Sequence, residues 1–287
     1  MISIPFKQGT SLEIKYKKYF KIICMNKINL LFPLLIVLST SSIKTIAHDL
    51  EGAINSSDRT EKNVLRDKYR NPYETISFFG IKSDMTVVEL SPGGGWYTEI
   101  FANYLHEPGN LIAAHFDTSS EREYFKRGRA NFEKKMQSSE MYNNVSIVDL
   151  SSNLAPENSV DAVVTFRNLH NWIGPQMDTI FQNSYKALKS GGIFGVVEHR
   201  ANPGTSLDAM KKSGYVTESY AIAIAEKHGF VFVDKSEINA NPKDLKNYER
   251  GVWTLPPSLR LKDTDKEKYL TIGESDRMTL LFKKPTP

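Results

Sequence analysis

The amino-acid sequence predicts an α/β fold: three layers, with a seven-stranded, mostly parallel sheet between helices and an inserted cover segment before the last strand. Two observations carry this reading. Short apolar runs alternate with helical patterns from residue 86 onward, and near-continuous apolar strands mark a sheet buried on both faces. The first of those runs passes through Gly93, Gly94 and Gly95 directly into a helical pattern. Sheets of this kind open their ligand crevice at such a strand end.

The elements follow in order. Residues 48–66 are polar and read as a strap or an exposed helix. Tyr69, Tyr73, Ile76 and Phe79 recur at three- and four-residue steps, which predicts one helix over 66–79 with a single buried face, stopped by Gly80. Thr86 to Leu90 reads as the first strand and Trp96 to Leu105 as a helix. Asn110 to Phe116 is a second strand, and Glu121 to Met136 a charged helix. Val145 to Val148 and Val160 to Phe166 are the third and fourth strands. A helix over Asp178–Leu188, closed by Ser190, Gly191 and Gly192, precedes a fifth strand at Ile193–Val197. Phe230–Val233 and Met278–Phe282 complete the set. The stretch from Asp234 to Arg277 is too long for a structureless loop. It reads as a cover over the strand ends, with a solvated excursion as the alternative.

The amino terminus has a different character. Met25 to Asn29 is a short cationic start, Leu30–Leu38 an apolar core, and Thr45-Ile-Ala47 a small-residue cleavage site, the pattern of a secretion signal. Its nine apolar residues fall short of the roughly 20 that span a bilayer, and an uncleaved anchor or a buried helix is the alternative. The expected organisation is an upstream extension over 1–24, a signal peptide over 25–47 and one domain over 48–287. The body is expected to be exported, to the periplasm, with no stable membrane span after cleavage. The net charge of +4 belongs to this leader, where seven lysines face Glu13 alone, so no nucleic-acid partner is expected. The only cysteine, Cys24, precedes the apolar core, which excludes a disulfide framework or a thiolate nucleophile in the body.

The most informative segment is Val87-Val-Glu-Leu-Ser-Pro-Gly-Gly-Gly-Trp-Tyr-Thr98. Glycines let the backbone turn tightly and approach a ligand closely. A dinucleotide site needs Gly-x-Gly-x-x-Gly, and counted from Gly93 the third position is Thr98. The other reading is Glu-x-Ser-x-Gly-x-Gly, from Glu89 to Gly95, an acid set just before the turn. A purely structural turn is the plain alternative.

This segment, with Asp161-Ala-Val-Val-Thr-Phe-Arg-Asn-Leu-His-Asn-Trp172 and Leu188-Lys-Ser-Gly-Gly-Ile193, resembles the class I S-adenosylmethionine (SAM)-dependent methyltransferases. Ser91–Tyr97, Thr165–Trp172, Glu198-His-Arg200 and Gly273–Met278 resemble, more narrowly, predicted bacterial methyltransferases that carry a signal sequence. The likeness runs from about residue 66 to 285. It implies the Rossmann-like methyltransferase fold, SAM as cofactor and methyl transfer to a small-molecule acceptor.

Residue by residue, the resemblance implies that Glu89 contacts the methionine part of SAM and that Gly93 and Gly95 form the turn, with Ser91 in place of the commoner first glycine. The carboxylate that usually holds the ribose hydroxyls is replaced by His115, leaving Asp117 as the candidate. Asp149 is the candidate for the adenine amino group, a helix cap being the other reading. Arg167 and Asn168 are expected beneath the sulfonium and the acceptor. An oxygen or nitrogen acceptor needs a base, and His170 and His199 both follow strand ends; a structural role is the alternative for each. Asp276 and Arg277 read as an ion pair, with a place facing the substrate as the alternative, and Tyr69 and Arg70 as a flap over SAM or as packed residues. No His, Asp or Glu set has metal-ligand spacing, so no metal is expected. The rival functions are an exported SAM-binding accessory protein and, less favoured, an NAD-dependent oxidoreductase.

Overall fold

The computed structural model describes residues 49–286; the upstream extension and the signal segment with its cleavage site after Ala47 lie outside them. Seven strands form one sheet: β1 (Thr86–Leu90), β2 (Asn110–His115), β3 (Val145–Asp149), β4 (Val160–Phe166), β5 (Leu188–His199), β6 (Val231–Ser236) and β7 (Arg277–Lys283). Their order is β3-β2-β1-β4-β5-β7-β6. The first five run parallel, and β7 is antiparallel to both β5 and β6. This is the Rossmann-like methyltransferase arrangement expected from the sequence.

Alternating side chains build the layers. Val87 belongs to one hydrophobic cluster with Ile76, Phe79, Ile100 and Phe101; its neighbour Val88 belongs to the other, with Ile180, Phe181, Phe194 and Phe230. Period-two strands thus bury both faces, each under its own helices. From β1 the chain steps one way to β2 and β3, then returns to place β4 on the other side of β1. That reversal opens a crevice outside the carboxyl ends of β1 and β4.

Four elements differ from expectation. The stretch read as a strap or exposed helix over 48–66 holds two short helices, Leu50–Ile54 and Glu61–Val64, and Leu50, Ala53 and Ile54 are buried against Ile76 and Phe101 in one core cluster. The helix predicted over 66–79 is two helices, Asp67–Arg70 and Pro72–Phe79. Pro72 disfavours helical geometry in the residue before it, and Asn71 takes the left-handed conformation at φ 42°. The glycines read as closing a helix after Leu188 lie inside β5, where Gly191 has φ 77° and the register with β4 shifts between Val160 and Ala162. The strand loops out of register there, and a left-handed residue in such a turn favours glycine. β6 starts at Val231 and continues to Ser236; as the sheet edge it leaves Val231 and Val233 exposed.

The segment between β6 and β7 is packed, with Val252 and Leu255 buried in and beside a turn of 3-10 helix (Gly251–Thr254). Asn239 Nδ2 donates to Thr75 Oγ1 and Thr279 Oγ1, and Asn241 Nδ2 donates to the carbonyls of Ile272 and Glu274. It is a cover rather than a solvated excursion. Among the described residues, no helix is long and apolar enough to cross a membrane.

Candidate functional site

The crevice at the β1–β4 reversal has a volume of about 770 Å³, within the ordinary range for small-molecule sites. Its floor is the glycine turn. Gly93 has φ 60°, and a Cβ there would meet nothing within 4 Å, so the space above it is open to a ligand. Gly95 differs: its Cβ would stand 3.3 Å from Phe132 and from Lys135 Nζ, so its lack of a side chain serves packing. Ser91 is held in the left-handed region at φ 51°, and its buried Oγ has no hydrogen-bond partner in the protein. A non-glycine residue in that region is strained, and a buried hydroxyl left without a partner is costly. Both features fit a residue whose partner is a ligand. Glu89 lies beneath the turn, fully enclosed, where Oε2 accepts from Thr98 Oγ1 at 2.6 Å. Burial pushes its carboxyl up to about 7, opposed by the Thr98 bond and Lys135.

On the β2–β3 side, Phe116, Asp117 and Leu150 line the crevice. Asp117 accepts from the Ser151 N–H at 2.9 Å and the Ser151 hydroxyl at 2.6 Å, one bond to each oxygen. Each oxygen keeps a lone pair for a ligand. His115 serves the backbone instead. Its Nδ1 accepts from the Phe116 N–H at 2.8 Å, so Nε2 carries the proton and donates to the Gly93 carbonyl at 3.1 Å. The ring is buried against Phe132, which lowers its pKa and keeps it neutral. Asp149 accepts from Thr118 and from Arg129 Nη1 at 2.8 Å; burial raises its pKa, but these bonds outweigh it and hold the group low. It caps no helix and is not among the residues that line this crevice.

On the β4–β5 side, Asn168 Nδ2 donates to the carbonyls of Leu90 and Ser91 and to Thr165 Oγ1, tying β4 to the glycine turn. Glu198, at 0% exposure, accepts from the Leu169 and His199 N–H groups and from His170 Nδ1 at 3.0 Å. Glu198 accepts from two backbone N–H groups, so the His170 bond is donated from Nδ1, the tautomer that in a neutral ring leaves Nε2 as the acceptor. His199, 5.3 Å away ring to ring, bonds Ser275 Oγ through Nδ1. Burial, then His170, then the arginines Arg167, Arg277 and Arg70 hold its pKa well below the usual range, so it stays neutral.

The end of the crevice is basic. Arg167, itself left-handed at φ 65°, lines it beside Glu274 and Ser275. Trp253, with Arg260 stacked 4.5 Å over its ring, and Pro256 form the roof contributed by the cover.

Of the predicted site residues, the fold brings Ser91, Gly93, Asp117, Arg167, Asn168, His170 and His199 together around one crevice, and leaves Glu89, Gly95 and Asp149 outside its lining. Asp276 and Arg277 do not pair with each other: Asp276 bonds Arg200 and Lys246, and Arg277 faces Glu274, because alternate residues entering β7 point to opposite sides. Tyr69 packs under Gly273, and Arg70 is buried, so neither is a flap. Spacing alone hides one grouping: His170, Glu198 and His199 bring potential ligand atoms within 4.8 Å of one another. Glu198 is the residue that the motifs leave without a role; its position one before His199 at a strand end is the only local signal of it.

A family model described as a methyltransferase domain matches residues 88–196. No curated protein matches the chain in sequence. Among solved structures, a SAM-dependent methyltransferase from Aquifex aeolicus is similar with a TM-score of 0.51 at 14% identity, over 82% of this chain and 98% of that one. Geranyl diphosphate C-methyltransferase from Streptomyces coelicolor A3(2), in complex with Mg2+, geranyl diphosphate and S-adenosyl-L-homocysteine, scores 0.52 at 11% identity over 81% and 87%. The cyclase SpnF scores 0.55 at 14% identity over 76% and 82%. At these identities the likeness establishes the fold, and a cyclase among the three shows that the fold admits more than one reaction.

Proposed function

We propose that this chain is a SAM-dependent methyltransferase acting on the oxygen or nitrogen of a small acceptor, with His170 as the base. The carrying observation is that one crevice holds both an open glycine cradle and a histidine whose bare Nε2 is fixed by a buried carboxylate. Gly93 leaves room for the cofactor, Ser91 Oγ offers it an unused hydroxyl, and the free lone pairs of Asp117 suit a pair of ribose hydroxyls. Bound SAM supplies a methyl carbon activated by its sulfonium, whose sulfur keeps the bonding pair as the methyl leaves. Methyl transfer then asks the protein mainly for alignment. Glu198 orients His170, and His170 Nε2 takes the acceptor's proton; His199, kept neutral, lines the same wall without adding charge beside a cationic cofactor. Trp253 and Pro256 place an apolar roof over the same crevice.

We also read residues 25–47 as a signal peptide and the body as exported to the periplasm, on the cationic start, apolar core and Thr45–Ala47 site. Mass spectrometry of the envelope fraction tests this; the expected amino terminus is His48, and an intact leader there refutes it.

Calorimetric titration with SAM, its demethylated product and NAD tests the cofactor. Binding of the first two without NAD is expected, and the reverse result overturns the assignment. His170→Gln is expected to retain SAM binding while slowing product release from labelled SAM in envelope extracts by about 10²- to 10⁴-fold, the usual worth of a positioned base.

A further inference from the structure

Four guanidinium groups converge on one carboxylate at the basic end of the crevice. Glu274 Oε1 accepts from Arg66 Nε at 2.6 Å; its Oε2 lies 3.3 Å from Arg70 Nε, 3.4 Å from Arg277 Nη1 and 3.8 Å from Arg167 Nη1. The neighbouring carboxylates are engaged elsewhere: Asp67 with Arg59, Asp276 with Arg200 and Lys246, and Glu198 with His170. The group therefore holds a large excess of positive charge, and Arg70 within it is 1% exposed.

The hydrogen bonding is as incomplete as the charge. Arg70 Nη1 and Arg66 Nη2 are buried and donate to nothing in the protein. Arg167, which lines the crevice, has its nearest carboxylate oxygen at 3.8 Å, beyond hydrogen-bond reach. Buried cations and buried donors are ordinarily paired. Guanidinium groups left with free forks match the geometry of carboxylate and phosphate oxygens.

We propose that this arginine cluster is an oxyanion site, and that the acceptor presents a carboxylate or phosphate to Arg167, which sets its reacting hydroxyl or amine against His170. This rests on the methyl-transfer reading. Arg167 is the contact, while Arg70, Arg277 and Arg66 supply the field behind it. The acceptor is then an anionic hydroxy or amino compound, small enough for the space beneath Trp253. SAM itself carries a carboxylate, the other source of the same chemistry. The placement of Arg167, Glu274 and Ser275 beside both histidines, at the β4, β5 and β7 ends and away from Asp117, favours the acceptor.

The full-length protein is titrated first with S-adenosylhomocysteine, then, when saturated with it, with inorganic phosphate and with malonate. Wild type is expected to bind at least one of the two anions. Arg167→Gln should weaken that binding by about tenfold or more, a loss of roughly 1.4 kcal/mol, with S-adenosylhomocysteine affinity changed less than about threefold. Arg167→Lys, which keeps the charge but not the fork, should fall between. A tenfold loss of S-adenosylhomocysteine affinity in Arg167→Gln would assign the cluster to the cofactor's carboxylate and sink the proposal. Anion binding that survives the substitution, or its absence in wild type, would sink it too. If wild type binds no S-adenosylhomocysteine, the methyl-transfer reading fails separately, and the same anion titrations on the ligand-free protein still decide the oxyanion site.

Discussion

Two ion clusters meet at the start of β7, two residues apart in sequence, and they are built on opposite plans. Around Asp276, Arg200 pairs in a fork, Lys246 adds a second cation, and Arg200 continues to Glu218 and Glu237, with Lys235 closing the chain on Glu218. Charge there is balanced, and the Arg200 guanidinium is held above its ordinary value by its partners. Around Glu274, four arginines share one acid, and the pKa values of Arg70 and Arg167 are lowered by burial and by neighbouring arginines of the cluster. A balanced network ties β5, β6 and β7 and needs nothing further. An unbalanced one is destabilising until something fills it, and strain of that kind collects at functional sites.

The difference can be broken or sharpened by substitution. Glu274→Gln removes the one carboxylate that, among the described residues, pairs with these four guanidinium groups. It should cost about 4 kcal/mol, the scale for breaking a buried pair, and added phosphate should restore part of it, as read from urea midpoints. Buried acids should also titrate in opposite senses. Burial raises the Glu274 pKa, but the four arginines together outweigh it and pull the group down to about 2. Its contribution is therefore present above its ordinary value of 4.5 and is lost as pH falls toward 2. Glu89, pushed up to about 7, binds more protons folded than unfolded between 4.5 and 7, so stability falls as pH rises through that window. Each effect amounts to about 3 kcal/mol at most. Glu89→Gln should flatten the urea-midpoint profile between pH 5 and 7, and an unchanged slope would show that Glu89 is not the titrating group. Asp276→Asn should cost less, about 2 kcal/mol, since Glu218 and Glu237 still hold Arg200, and phosphate should not restore it. Rescue of this variant would make the two clusters alike. The smallest effect has the opposite sign. Arg167→Gln should stabilise the ligand-free protein by about 1 kcal/mol, roughly 2–4 °C in thermal midpoint, and a lowered midpoint would mean that Arg167 is structurally compensated.

The sheet was legible because its signals are local: apolar runs such as Val160–Phe166, and a turn, Ser91–Gly95, that only small residues can make. Errors arose where a local signal has two outcomes. Gly191 and Gly192 end a helix or loop a strand out of register, and only the pairing with Val160 decides. The floor of the site, Ser91 and Gly93, was readable for the same reason as the sheet. The arginine cluster was not. Arg66 and Arg70 meet Glu274 across more than 200 residues, and no periodicity brings them together. His115 shows a third situation: its identity looked like a defect in a ribose site, yet the ring carries the Gly93 carbonyl.

The cover that supplies Trp253 and Pro256 enters from β6 and leaves into β7, neighbours that are already hydrogen-bonded to each other. Its ends are held together by the sheet, so lengthening or rewriting it carries little added entropic cost. The cofactor floor, formed far away in sequence, is untouched by such changes. Roof and floor are therefore separable parts of this architecture, and the roof is the piece that can be exchanged without disturbing the glycine turn.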